Sequence, residues 1–417
     1  MNLFKNCEIK YKKLIDVTVW DKKFNGINNH YFKGYKHISA EQLKKFDNPN
    51  GSIKLMATGL FDGMELEEEC KKFINEGEII TMPSGGTANI KYYNGKFLDS
   101  GNLIATSNNV ELYSTKYIYY CLMNMQPTIQ SYYRGSGVKH PDMNNILNIE
   151  IAVPPLEVQD EIVRILDDFT LLSAELSAEL KARQKQYEYY KDELYNFKNK
   201  NVQYVKLKDI SQIIRGGNFQ KKDFMDEGKP CIHYGQIYTR YGSNVSSTFT
   251  YVSDEVFSKS KQAQPNDIIM AVTSENIEDV CKCVVWCGNE NVAVSGHTAI
   301  IHHNINAKYL GYYFSTSHFY KDKTKLVHGT KVMEVTPSSL NEILIPLPNL
   351  NEQERIANLI ENFDKLCNDI TSGIPAEIKA RKKQYEYYRD KLLTFRESKN
   401  DWVFKFTTSI WSKKCNK

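Results

Sequence analysis

No run of about 18 apolar residues occurs in the 417-residue chain, so the sequence offers no candidate for a membrane-crossing helix. The opening MNLFKNCEIKYKK is charged and has no apolar core segment of the kind a secretory leader carries. The expectation is a soluble protein of the cytoplasm with no membrane contact. A dominant charge is lacking too. Lys and Arg number 54 against 50 Asp and Glu, a net +4, so any basic surface has to be local. The nine cysteines are odd in number and lack framework spacing, which fits free thiols in a reducing compartment.

Catalytic signatures are missing as well. No phosphate-binding loop ending in Gly-Lys-Ser/Thr is present, and no glycine-rich cofactor loop follows a strand. An Asn-Pro-Pro-Tyr turn is absent; Val153-Pro154-Pro155-Leu156 reads as a helix start, and Glu69-Cys70-Lys71 is too short a fragment to carry a nuclease. Cys281, Cys283 and Cys287 alternate as on a strand, with no paired His/Cys cluster at zinc spacing, so they read as buried free thiols and no metal site is expected. His297, His302 and His303 have no nucleophile motif beside them and read as structural or surface histidines.

What the chain does have is a repeat. Residues 156–197 end in KARQKQYEYYKDEL, and 350–395 close with KARKKQYEYYRDKL. The first copy places Ile162, Ile165, Phe169, Leu172, Leu176, Leu180, Tyr187, Tyr190, Leu194 and Phe197 at alternating steps of three and four, with Arg183 between Leu180 and Tyr187. That is the seam of a helix that lies against another helix. The second copy continues the phase through Ile356, Leu359, Phe363, Leu366, Ile370, Ile374, Ile378, Arg381, Tyr385, Tyr388, Leu392 and Phe395. Two tandem Ser-Ala-Glu-Leu tetrads, 173–180, put a stutter in the first copy. Pro375 interrupts the second: it removes an amide donor and crowds the Thr371 carbonyl, costing roughly 3 kcal/mol inside a helix, so a kink or break is expected there. Tyr187 and Tyr190 fall on the seam, while Glu188 and Tyr189 point outward, where a protein partner could dock.

Before each helix stands a mixed α/β segment. In the first, 53–56, 78–82, 102–106 and 149–153 read as strands and 116–125 as a helix. The second repeats the plan: Leu14-Ile15-Asp16-Val17 returns as Leu207-Lys208-Asp209-Ile210, Lys116-Tyr117-Ile118 as Lys308-Tyr309-Leu310, and Gly135 and Val138 as Gly329 and Val332. Framework positions match and the loops between them do not, which implies two binding sites of one kind with two specificities. The expected division is a first domain 1–155, a helix 156–198, a second domain 199–348, a helix 349–398, and a tail 399–417. The tail resembles the opening of the second domain and would close a pseudo-two-fold ring if it docked on the first.

The order domain, helix, domain, helix, with Pro154-Pro155-Leu156-Glu157-Val158-Gln159 and Leu350-Asn351-Glu352-Gln353 opening the helices and KQYEYY closing them, resembles the specificity subunit of type I restriction-modification enzymes. The resemblance covers the whole chain. It implies a non-catalytic subunit whose two target-recognition domains each read half of a split double-stranded DNA sequence. The helices would form an antiparallel coiled coil that sets the distance between the halves and docks two methyltransferase subunits, with restriction subunits joining them. S-adenosylmethionine, ATP and Mg would belong to those partners, with no cofactor in this chain. A helix over 156–197 spans about 63 Å, and one tetrad adds about 6 Å and about 40° of rotation, close to the roughly 35° between base pairs.

Candidate DNA contacts are loops in which glycine admits a phosphate and hydroxyl, amide or cationic groups can bond phosphates or base edges. In the first domain these are Ser84, Gly85, Gly86, Thr87, Asn89 and Lys91, then Arg134, Ser136 and Lys139. In the second they are Arg215 and Asn218, Arg240, Ser274 and Asn276, and Lys331. Each motif is short and also reads as an ordinary surface turn. Two other functions fit the chain: a single-chain nuclease or methyltransferase with an unrecognised site, and a structural adaptor whose coiled coil joins two protein-binding domains.

Overall fold

The computed structural model describes residues 7–32, 34–198, 201–217, 219–369 and 371–395. The chain forms two compact units, one made of its beginning and end, Met1–Glu175 with Lys379–Lys417, and one made of its middle, Leu176–Ile378. A single helix, Leu156–Leu194, contributes its first part to one and its second part to the other. The docking expected of residues 399–417 lies outside the described residues, as does Ile370.

In the first unit a six-stranded sheet runs Thr18–Trp20, Asn102–Ser107, Asn75–Pro83, Lys91–Ser100, Ile53–Ala57, Asp62–Glu65. Neighbours are antiparallel except Ile53–Ala57 beside Lys91–Ser100. Lys10–Lys13 pairs with Glu150–Val153, which delivers the chain to Pro154-Pro155 and the long helix. Neither proline can continue a strand ladder or admit a helical residue before it, so the helix begins where they end. One apolar core joins Ile80, Met82 and Leu103 of the sheet to Tyr117, Ile118, Cys121 and Leu122 of the helix Thr115–Asn124. The same core takes in Val158, Ile162, Ile165 and Leu166 of the long helix and Leu392, Leu393 and Phe395 of the second repeat. Phe169 stacks on Tyr388 with ring centroids 5.6 Å apart and meets Tyr385 edge-on at 6.3 Å. Arg389 Nε donates to Asn124 Oδ1 at 2.9 Å, a second tie between the closing helix and this unit.

The second unit holds a five-stranded sheet, Ser211–Arg215, Thr298–His303, Ile268–Ala271, Cys283–Trp286, Asn244–Val245. A four-stranded one runs Thr250–Val252, Lys229–Ile232, Val292–Val294, Gln262–Ala263. Gln203–Lys206 pairs with Leu344–Leu347 as its counterpart does in the first unit. Tyr190 stacks on Phe363 at 6.2 Å, while Tyr187, one turn earlier, faces Asp364 and Cys367. Moving back along one helix moves forward along the other, so the pair is antiparallel. Leu176 and Tyr187 are buried, Leu180 and Leu194 partly so, and Tyr190 remains half-exposed beside its ring partner. Tyr189 and Tyr387 are 62% and 60% exposed, each pointing outward as the phase requires. The break predicted at Pro375 is present: one helix, Leu350–Asn368, ends, and a second, Ile374–Thr394, starts with Pro375 in its first turn, where no amide donor is needed.

The same polar clamp fixes each helix to its own domain. Gln159 is fully buried; its Oε1 accepts the Ser114 amide at 2.9 Å, and its Nε2 donates to the Leu112 and Pro154 carbonyls at 2.9 and 2.8 Å. Gln353 accepts the Asn306 amide at 3.0 Å and donates to the Pro348 carbonyl at 2.8 Å. The Tyr117 hydroxyl donates to Ala152 O and the Tyr309 hydroxyl to Pro346 O, both at 2.7 Å. Lys116 pairs with Asp167 and Lys308 with Glu361, both at 2.8 Å. Replacing Gln159 by Leu leaves the buried Pro154 carbonyl unpaired at about 1–3 kcal/mol and removes two part-buried bonds, to the Ser114 amide and the Leu112 carbonyl, at about 0.5–1.5 kcal/mol each. Chemical denaturation of Gln159→Leu should show a loss of about 2 kcal/mol or more.

A charge bridge also ties the first unit together. His37 stands between Asp21 and Asp99, its Nε2 3.0 Å from one carboxylate and its Nδ1 2.8 Å from the other. Hydrogen bonds to Asp21 and Asp99 raise the imidazole to about 9, against partial burial. Because the folded value exceeds the unfolded one of about 6.5, the bridge contributes fully below that pH and is lost as pH rises through about 9. The melting difference between the wild-type chain and His37→Gln should therefore be large near pH 6 and shrink above about pH 9.

Candidate nucleic-acid interface

In the first unit the strand Asn75–Pro83 runs out into the loop that begins at Ser84. The Ser84 amide and hydroxyl both donate to the Gly101 carbonyl, at 3.0 and 2.6 Å. The Gly86 amide donates to the Lys139 carbonyl at 2.7 Å, and a ring nitrogen of His140 meets the Ser84 carbonyl at 2.7 Å. These bonds put Ser84, Gly85, Gly86 and Thr87 beside Arg134, Ser136 and Lys139. The second group forms the exposed tip of a hairpin between Tyr133–Arg134 and His140–Pro141. Its turn requires glycine: Gly135 has φ +145°, and a Cβ there would stand 2.9 Å from the Val138 carbonyl oxygen.

Asn89 and Lys91 work differently from their neighbours. Lys91 Nζ donates to the Ala57 and Gly59 carbonyls at 2.8 and 2.7 Å, and Asn89 Nδ2 to the Thr58 and Gly59 carbonyls at 3.2 and 2.8 Å. Burial lowers the Lys91 ammonium, so its charge is spent inside the fold. The two side chains bind a third loop, Thr58-Gly59-Leu60, to the others. Sequence reasoning missed it, because the residues that hold it lie some 30 positions away in the chain.

The second unit repeats the arrangement with other side chains. Thr273–Ser274 pairs antiparallel with Met333–Glu334, setting Ser274 beside a hairpin whose His328 and Glu334 exchange backbone bonds of 3.0 and 2.9 Å. Lys331 is exposed on its tip. Gly329 has φ +101°, and a Cβ there would reach 2.0 Å from the Val332 carbonyl oxygen, the device seen at Gly135 and Val138. Arg215 Nη2 donates to Glu334 at 3.1 Å and its Nε to the Gly296 carbonyl at 3.2 Å. The Tyr238 hydroxyl donates to the Thr273 carbonyl at 2.7 Å, joining the helix Tyr234–Thr239 to the group. Arg240 follows that helix, its guanidinium 5.7 Å from the centre of the exposed Phe249 ring. Asn276 instead closes its own turn, donating to Asp279 at 3.0 Å and accepting that residue's amide at 2.8 Å. Asn218 lies outside the described residues. His297 is exposed within the group, 3.2 Å from Thr273 Oγ1 and with its ring 4.9 Å from that of Tyr234.

Each unit thus gathers a glycine-built hairpin, a strand-end loop and exposed basic or hydroxyl side chains, a set suited to phosphate oxygens and base edges. Among the described residues no three His, Cys, Asp or Glu side chains converge as metal ligands. Cys281 is buried, but Cys283 and Cys287 are partly exposed, a departure from the expectation of three buried thiols. Only the stretch Cys283–Trp286 is a strand, and Cys281 has φ +68°. Burial pushes the thiols of Cys281 and Cys283 up to about 12. No helix among the described residues is long and apolar enough to cross a membrane.

The sequence profile of the type I restriction modification DNA specificity domain matches residues 27–183 and 199–380. The chain is 34% identical over 292 residues to the EcoR124I/EcoR124II specificity subunit of Escherichia coli, covering 67% of this chain and 70% of that one. It is 29% identical over 423 residues to a putative type I restriction enzyme specificity subunit of Haemophilus influenzae, covering 94% and 97%. Among solved structures, the S subunit of a type I restriction-modification system from M. genitalium superposes with a TM-score of 0.57 at 13% identity, over 94% of this chain and 98% of that one.

The hairpin glycines give a direct test of this geometry. Gly329→Ala should force the Val332 carbonyl away and open the hairpin, so the His328 and Glu334 amides should exchange with solvent faster by hydrogen-exchange mass spectrometry. Exchange in Ile268–Ala271 should not change.

Proposed function

The chain belongs to the type I restriction-modification DNA specificity family, whose specificity subunits are non-catalytic, and on that premise we propose that it reads a bipartite double-stranded DNA target for a larger complex. Target recognition and assembly with other subunits are the general roles of this family; catalysis lies in those subunits. Residues 1–155 read one half of the target and residues 199–348 the other. The helices at 156–198 and 349–398 set the gap and dock two methyltransferase subunits, and restriction subunits complete the assembly. S-adenosylmethionine, ATP and Mg are the partners' cofactors, and the complex works in the cytoplasm. The observation that carries this reading is the recurrence, in each unit, of one glycine hairpin beside one strand-end loop, dressed with Arg134, Ser136 and Lys139 in the first and Arg215, Ser274 and Lys331 in the second.

Methylome sequencing of a host with and without the chain should reveal one split motif that depends on it. The complex purified on this chain should prefer that duplex over scrambled DNA by about a thousandfold or more, with affinity falling steeply in salt. Equal, salt-insensitive binding to both duplexes would leave only the adaptor reading.

Ser173–Leu180 lies inside the unbroken helix Leu156–Leu194, so a further tetrad adds length to a rod. Inserting one Ser-Ala-Glu-Leu after Leu180 should widen the unread gap by about one base pair, since it adds about 6 Å and about 40°, and should leave both half-sites as they were. An unchanged gap in the methylome would remove the spacing role from this helix.

A further inference from the structure

Leu60 is 93% exposed, more than any other large apolar side chain among the described residues. A lone exposed leucine is ordinary on a protein surface. This one sits on a loop held by four side-chain hydrogen bonds, two from Lys91 and two from Asn89, at 2.7–3.2 Å. Thr58 also packs under the loop end at Gly101: a Cβ on Gly101 would lie 3.3 Å from Thr58 Cγ2, and Gly101 in turn accepts both bonds from Ser84. The loop is therefore fixed to the DNA-facing group of the first unit. It keeps a lysine partly desolvated to do so.

What the loop offers is narrow. Lys91 is occupied with carbonyls, and the nearby Lys54 is paired with Asp62, so neither ammonium is left free at this place for phosphate. The loop presents a branched apolar tip with no charge of its own. Within duplex DNA the apolar feature that distinguishes one base pair from another is the thymine methyl in the major groove. Beyond the helix Tyr234–Thr239 of the second unit the exposed side chains include Arg240, Ser246, Ser247 and Phe249, and residues 240–249 contain no leucine. The hairpins recur in both units with the same Gly and Val, whereas this lip does not, as expected of a part that distinguishes one half-site from the other.

Resting on the DNA-reading function above, we propose that Leu60 is a specificity-determining residue that packs on the methyl group of one thymine in the half-site read by the first domain. Once the methylome has supplied the motif, duplexes carrying deoxyuridine for each thymidine in turn delete one methyl at a time. At one position in the first domain's half-site, the substitution should weaken binding of the wild-type complex about fourfold, the worth of one buried methyl group. The same substitution should leave Leu60→Ala binding unchanged, and the other half-site should show no coupling to residue 60. Leu60→Ala should melt with the wild-type chain, since the side chain it removes is in solvent. Two results overturn the assignment: a uracil series that is flat or identical in both proteins, or a Leu60-dependent rise in 2-aminopurine fluorescence at a base step, which marks an intercalating wedge instead. If the complex fails to prefer the split duplex at all, the DNA-reading function itself falls; if it prefers the duplex and the uracil series is flat, only Leu60 is misassigned.

Discussion

A buried glutamine at the start of each repeat helix is the constraint on which the rest depends. An amide inside an apolar core is tolerated only when its donors and acceptor meet partners in fixed places. Gln159 meets Ser114, Leu112 and Pro154, and Gln353 meets Asn306 and Pro348. Apolar packing alone would let a helix slide or turn on the sheet it covers. Polar bonds to two separate backbone segments permit one position. Tyr117 and Tyr309 bond the strand that leads into each helix, and the Lys116–Asp167 and Lys308–Glu361 pairs extend the clamp two turns further along it. These contacts hold each helix in one position and one rotation on the domain that precedes it.

The duplication shows which parts are framework and which are free to differ. Both units keep the glutamine clamp, the terminal strand pair before the helix, and the hairpin whose glycine has positive φ beneath a valine carbonyl. They differ in what surrounds the hairpin. The first has the Thr58-Gly59-Leu60 lip and the Ser84–Asn89 loop. The second has the Arg215–Glu334 tie and the rings of Tyr234, His297 and Phe249. Exposed positions of this kind can change without disturbing the core, so one fold can serve two recognition tasks.

The periodic parts of this protein were legible in the amino-acid sequence. Steps of three and four placed Ile162, Phe169, Tyr187 and Ile356 on buried or packed faces and Tyr189 outward, because burial of a helix stripe acts through local spacing. The break near Pro375 and the helix start after Pro155 followed from one residue's covalent geometry. The repeat itself announced two like domains, and the resemblance drawn from it agrees with the family the chain belongs to. The tertiary structure alone decided what depends on distant partners: that Lys91 and Asn89 hold a loop some 30 residues away, that Arg215 reaches Glu334, and that His37 bridges Asp21 and Asp99. Nothing in the spacing of a lysine or histidine says whether its charge will face solvent or be spent on a carbonyl or carboxylate across the sheet. That choice is made when folding sets desolvation against the particular groups that happen to lie within hydrogen-bond reach.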